Sequence, residues 1–174
     1  MKHIYVVLSQ SGSIVSKMIK HKTKKEYNHC SIAFDSSLTI MYSMGRLYPN
    51  NPLIGRFVRE IPNIGTYKKF KNTTCKVLEV PVNDESYRLM KTEVERLLAH
   101  GVKYDYSGLI LGAVGIPSYN HSTYVCSTLL RHIFIVGGLD VSFLPEIPHP
   151  VDFEKMENYK VVYKGLLNNI NKKR

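Results

Sequence analysis

Cysteine is scarce in this 174-residue chain: Cys30, Cys75 and Cys126 are the only three, widely spaced and with no CxxC pair. An odd, unpaired set excludes a disulfide framework and a zinc ribbon, and it fits a reducing compartment. Long apolar runs are missing as well. The N-terminal "HIYVVL" is too short for the apolar centre of a signal peptide or for a membrane span. The expected location is therefore cytoplasmic, where the sequons at Asn72 and Asn120 carry no meaning. The chain also lacks an internal repeat and any HExxH, P-loop or GxSxG pattern, and it has no zinc finger, RNP motif or helix-turn-helix. No specific nucleic-acid binding, no cofactor and no metal are expected.

Acidic residues are the minority, 14 against 24 lysines and arginines, for a net charge of +10. The excess gathers in "KMIKHKTKK" (17–25), "YKKFK" (67–71) and "NKKR" (171–174). Such patches suit weak contact with anionic polymers or lipids, or simply a solvated surface. The length suits one domain, 1–174, large enough to bury roughly two thirds of its unfolded surface without staples.

Residues 3–8 are rich in β-branched and aromatic side chains and read as a strand. A short amphipathic helix is expected over 13–21. "NHCSIAFDSSLTIMYS" reads as a hairpin, with strands over 28–34 and 39–43 and a turn at Asp35, Ser36 and Ser37. Residues 44–74, punctuated by Gly45, Pro49, Pro52, Gly55, Pro62 and Gly65, read as a long irregular loop. A strand follows over 75–82. Asn83 or Asp84 then caps a helix to about His100, with Tyr87, Met90, Val94, Leu97 and Leu98 on one face and Gly101 as the stop. "GLILGAVG" (108–115) lacks the spacing of a dinucleotide site. A proline-punctuated loop over 140–152 and a last strand over 159–165 complete the chain.

"YVCSTLL" (124–130) carries the chemistry. Ser122 or Thr123 is the expected helix cap, Val125, Leu129, Ile133 and Val136 form an apolar stripe, and Gly137 and Gly138 end it. Cys126 then lies in the first turn, where free N–H groups and the helix dipole favour thiolate, the nucleophilic form. A lone cysteine is more often a packed core residue, so a partner histidine is required. His29 lies on the first hairpin strand, where alternation puts His29, Ser31 and Ala33 on a small, partly polar face open to close approach by a helix. Cys30, Ile32 and Phe34 take the opposite, core-like face, which makes Cys30 a buried, inert thiol and a poor metal ligand. His29 and Cys126 are the two halves of an imidazole and thiol pair. His121, just before the helix, is the weaker candidate.

"IYVVLSQSGSIVSKMIK", "YNHCSIAFD", "MYSMGR", "YVCSTLL" and "PHPVDF" together resemble the circularly permuted branch of the NlpC-type, papain-like cysteine hydrolases, including small uncharacterised bacterial members. In that branch the histidine strand precedes the cysteine helix. The resemblance implies an α+β fold, a mostly antiparallel sheet with the cysteine-bearing helix packed on it, and it places the nucleophile at Cys126 and the catalytic histidine at His29. The third polar residue maps to the "YSM" region at Ser43, with Tyr42 as the one-residue slip. Many members carry an acidic residue as "CSE", where this chain has Thr128.

The implied function is amide hydrolysis through an acyl-enzyme on Cys126, with a peptide or amide substrate, plausibly cell-wall derived. Two other readings stand beside it. Lecithin retinol acyltransferase shares the permuted layout, which suggests a lipid-directed thiol acyltransferase or esterase. A serine as third residue suggests instead a catalytically inactive binding module.

Overall fold

The computed structural model describes residues 1–13, 21, 23–104 and 123–172. Strand β1 (Lys2–Gln10) lies deep in its sheet and is buried from Ile4 to Gln10. That burial on both faces is why its centre, Ile4 to Leu8, is apolar throughout and does not alternate. β1 pairs antiparallel with β2 (His29–Ala33), Ser9 opposite His29 and Tyr5 opposite Ala33. Beyond β2 come β3 (Met41–Tyr48) and β4 (Asn51–Glu60), again antiparallel. On the other side of β1 lie β5 (Thr74–Val82) and then β8 (Lys160–Leu166). Two short strands, β6 (Lys103–Tyr104) and β7 (Thr123–Tyr124), extend the β4 edge and run parallel to each other. The full order is β7-β6-β4-β3-β2-β1-β5-β8. The class is α+β, as expected.

Alternation along the strands divides the interior in two. Ile4, Val6, Leu8, Cys30, Ile32, Met44, Phe57, Leu78 and Val80 face the helices α2 (Asp84–His100) and α3 (Cys126–Val136), meeting Met90, Val94, Leu97, Leu129, Leu130, Ile133 and Phe134. Tyr5, Val7, Ala33, Met41, Cys75 and Val77 face a smaller cluster closed by Leu38, Tyr67, Leu167 and Ile170. Each buried large apolar side chain contributes about 1.5–3 kcal/mol, and the helix-covered face holds most of them.

Helix α2 starts and stops where expected. The Asn83 side chain accepts from the Ser86 N–H at 2.7 Å, and Gly101 takes the left-handed conformation at φ 67°, which glycine adopts without strain. α3 differs at its start. Thr123 is in β7 and the cap residue is Val125, so neither Ser122 nor Thr123 caps the helix. Thr128 Oγ1 instead reaches back and accepts from the Val125 N–H at 3.1 Å, satisfying a donor that the helix leaves free.

The largest departure is at 44–74. The stretch is no loop: β3 runs on to Tyr48, Pro49 and Asn50 turn the chain, and β4 returns with Gly45 opposite Arg56, Ser43 opposite Val58 and Met41 opposite Glu60. A register shift between Arg46 and Tyr48 absorbs the irregular turn. A short helix α1 (Gly65–Lys69) follows. The glycines that resembled breaks permit close approach inside a sheet: a Cβ on Gly45 would lie 2.9 Å from Glu60 Oε1 and 3.0 Å from a Val58 methyl. The helix expected over 13–21 and the segment 108–115 lie outside the described residues, apart from Ser13 and His21. Among the described residues no helix is long and apolar enough to cross a membrane.

Candidate active site

His29 is the first residue of β2, and Cys126 is the first residue of α3, which packs across β2 and β3. The helix lies on the face of Cys30 and Ile32, not on the small-residue face of His29, because the former offers the larger apolar surface to bury. The His29 ring and the Cys126 sulfur interact nevertheless, each shifting the titration of the other. The sulfur is 7% exposed by residue and His29 21% by side chain. The pair is thus sheltered while the imidazole stays open to solvent.

Glu60, the last residue of β4, lies beyond the imidazole. Its Oε1 and Oε2 are 3.1 and 3.2 Å from His29 Nε2, and Ser31 Oγ donates to Oε2 at 2.6 Å. With Nε2 engaged, Nδ1 is the nitrogen left for the sulfur. Cys126, His29 and Glu60 thus supply a thiol, an imidazole and a carboxylate, the group types that cysteine-based acyl transfer uses.

This corrects the assignment of Ser43 as the residue that holds the imidazole. Ser43 Oγ is buried and in no well-formed hydrogen bond, and it approaches the Glu60 carboxylate from β3, as does the buried Tyr67 hydroxyl. Ser43 therefore lines the carboxylate rather than touching the histidine. Tyr42 is no substitute, since it pairs with Ile32 and packs on Phe34 and Phe57 on the other face. His121 lies outside the described residues. The sequence reading of 44–74 as a loop missed Glu60; the one trace of its strand was "RFVRE" (56–60), a β-rich run between Gly55 and Pro62.

The charges reinforce one another. Burial alone would lower the His29 pKa, but the negative charge of Glu60, with the contacts to Cys126 and Glu60, holds it well above its ordinary value. Burial pushes Glu60 up, and the His29 charge with bonds from His29 and Ser31 outweighs it, leaving the carboxyl below its usual range. Cys126 is lowered well below an ordinary thiol, first by the Cys30 thiol, against the opposing effect of burial, then by the bond and charge of His29 and by the Cys30 backbone N–H. The position at a helix start acts in the same direction. Cys30, buried beside the Cys126 charge, is pushed up and keeps its proton. All three shifts favour a thiolate and imidazolium pair backed by a carboxylate.

Among the described residues no three His, Cys, Asp or Glu side chains are grouped so as to hold a metal ion. Cys75 lies in the other core cluster, away from the site, and burial alone pushes it up to about 12. No protein-family model matches the sequence, and no curated protein matches it.

Proposed function

We propose that this protein is a cysteine hydrolase of the permuted NlpC-type, papain-like layout, which cleaves an amide bond through an acyl-enzyme on Cys126. One observation carries the reading: the His29 ring interacts with the Cys126 sulfur while its Nε2 is taken by the Glu60 carboxylate at 3.1 Å. The chain order, histidine strand before cysteine helix, and the antiparallel sheet under the helix support the layout.

The chemistry follows from the charges. The Cys126 thiolate attacks the substrate carbonyl carbon, the new C–S bond forms and the carbonyl π electrons move onto oxygen. The first-turn backbone N–H of Cys126, free of an intrahelical partner, is the natural donor to that oxyanion. As the C–N bond breaks, the His29 imidazolium gives its proton to the departing amine. Neutral His29 then takes a proton from water, whose oxygen attacks the thioester and releases the acid and the thiolate. Glu60 stabilises the imidazolium at each stage as a serine could not, which removes the ground for reading an inactive binding module. The substrate is a peptide or amide, with cell-wall peptide fragments as the class to test first.

Single-turnover acylation by an activated ester tests the reading. Cys126 should carry the acyl group, and Cys126→Ala should abolish labelling. Acyl label distributed equally over Cys30, Cys75 and Cys126 would overturn it.

A further inference from the structure

The basic run "YKKFK" (67–71) has no part in the proposed hydrolysis, yet it begins in the wall of a cavity that touches the site. The cavity, about 150 Å³, opens between the turn that joins β3 to β4 and the start of α1. Pro49 and Gly65 both line it, and a Cβ on Gly65 would lie 3.9 Å from Pro49 Cγ. Val58, Ile61, Ile64 and Tyr67 make its walls largely apolar. Glu60 is the only acidic residue of the lining, and its carboxylate is the one that bonds His29 at 3.1 Å. Ile64, and Tyr48 next to Pro49, leave a large apolar surface in solvent, 58% and 56% exposed. Cations flank this corner, and contacts hold two of them in place. The Arg46 guanidinium, also in the lining, donates to Ser13 Oγ at 2.9 Å and lies 5.3 Å from the Phe70 ring. Lys69 Nζ donates to Asn50 Oδ1 in the turn at 2.8 Å and lies 5.5 Å from the same ring. Lys68 beside it is exposed.

We propose that this corner docks an acidic peptide segment of the substrate, which places one apolar side chain in the cavity and carboxylates against Arg46, Lys68 and Lys69. Size selects a single side chain. The volume equals about five waters at ~30 Å³ each, whereas a pocket for a whole drug-sized ligand takes roughly 300–1,000 Å³, and a long acyl chain would not fit. A ligand that anchors by one side chain must continue outside the cavity, as a peptide does, and there it meets the cations. Charge then selects acidic neighbours and rejects basic ones. Because Arg46 and Lys69 are already held by their contacts, docking costs little side-chain freedom. The anchor rests against the carboxylate that orients His29, so the docked chain is delivered beside the imidazole, where tethering raises the effective concentration of its amide.

The peptide's role as substrate rests on the hydrolase reading, so docking and acylation are measured separately. Docking is read by fluorescence anisotropy on the full chain carrying Cys126→Ala, which binds without turnover. The probes are three capped, labelled peptides: leucine between two pairs of aspartates, the same peptide with lysines for aspartates, and the aspartate peptide with alanine for leucine. The aspartate and leucine peptide should bind about tenfold or more tighter than either of the others. Lys68→Glu combined with Lys69→Glu should weaken it and strengthen the lysine peptide, a reversal that misfolding does not produce. Ile64→Asp, a change at an exposed position, should weaken the leucine peptide and leave the alanine peptide where it was. Equal binding of all three peptides, or a preference that survives the lysine reversal, overturns the docking site. Anionic vesicles bound through Ile64 with no preference among the peptides would also overturn it, and would assign the corner to a membrane. In parallel, wild-type protein is acylated by a small activated ester. Acylation of Cys126 without peptide preference removes the docking site alone, whereas docking without acylation removes the hydrolase reading and leaves an acidic-peptide binding site.

Discussion

His29 Nε2 stands 3.1 Å from Glu60 Oε1, a contact between the first residue of one strand and the last residue of another, with β3 lying between the two strands in the sheet. The carboxylate therefore reaches the imidazole across β3, through the space that Gly45 leaves free.

The first prediction weighs Glu60 against Ser43. Glu60→Gln keeps a hydrogen-bonding side chain but removes the charge that holds His29 protonated. The charge-assisted bond is worth about 1.5–3 kcal/mol, so acylation of Cys126 should fall about ten- to a hundredfold. Ser43→Ala touches only the carboxylate and should cost less than about threefold, within the range of a weak neutral bond. Single-turnover acylation across the two variants decides it. A Ser43→Ala loss as large as that of Glu60→Gln would return the orienting role to Ser43.

The second prediction is a pH profile. Alkylation by iodoacetamide follows the thiolate, and the Cys126 pKa is lowered, so the rate should stay on its plateau at neutral pH. It should fall only as the pH drops through that lowered value, well below the ordinary thiol range near ~8.5. Cys30 and Cys75, both raised, should label far more slowly at every pH below their own titrations. In Glu60→Gln the His29 charge is less well supported and the Cys126 profile should move towards higher pH. Peptide mapping after short exposure supplies the rates, and a Cys126 profile centred at the ordinary thiol value would contradict the ion pair.

Gly45 offers a test of position rather than charge. An added methyl meets Glu60 Oε1 at 2.9 Å, and the end of a flexible side chain yields easily. Gly45→Ala should therefore leave thermal stability within about 1 kcal/mol of wild type while displacing the carboxylate from His29. Acylation should drop about tenfold or more, as misplacement at a reacting centre commonly costs, and the alkylation profile should shift as in Glu60→Gln. Unchanged acylation in a folded Gly45→Ala protein would show that the carboxylate position is unimportant.

The fourth prediction addresses the lipid-directed alternative. The net charge of +10 should give binding to anionic vesicles that is weak and disappears as salt is raised, because exposed charges are screened over about 8–10 Å at physiological ionic strength. Co-sedimentation with anionic and neutral vesicles measures it. Tight binding that survives high salt would favour an acyltransferase or esterase working on lipid.

Local chemistry was enough to read several parts of this protein from its sequence. β1 and β5 are apolar runs of strand length, and α2 carries its own cap at Asn83 and its own stop at Gly101. Cys126 at a helix start and His29 on a strand were likewise visible, because the apolar period and the flanking glycines set the first and strand alternation sets the second. What lay beyond the sequence was set by pairing between distant segments. Residues 51–60 become a strand only because β3 offers an edge to pair with, so Gly45 and Gly55, read alone, signalled a loop. Glu60 sits opposite Met41 and bonds His29 through a register that no short-range pattern encodes. The face taken by α3 was decided in the same way: a helix with an apolar stripe settles where most apolar surface is buried, on Cys30 and Ile32.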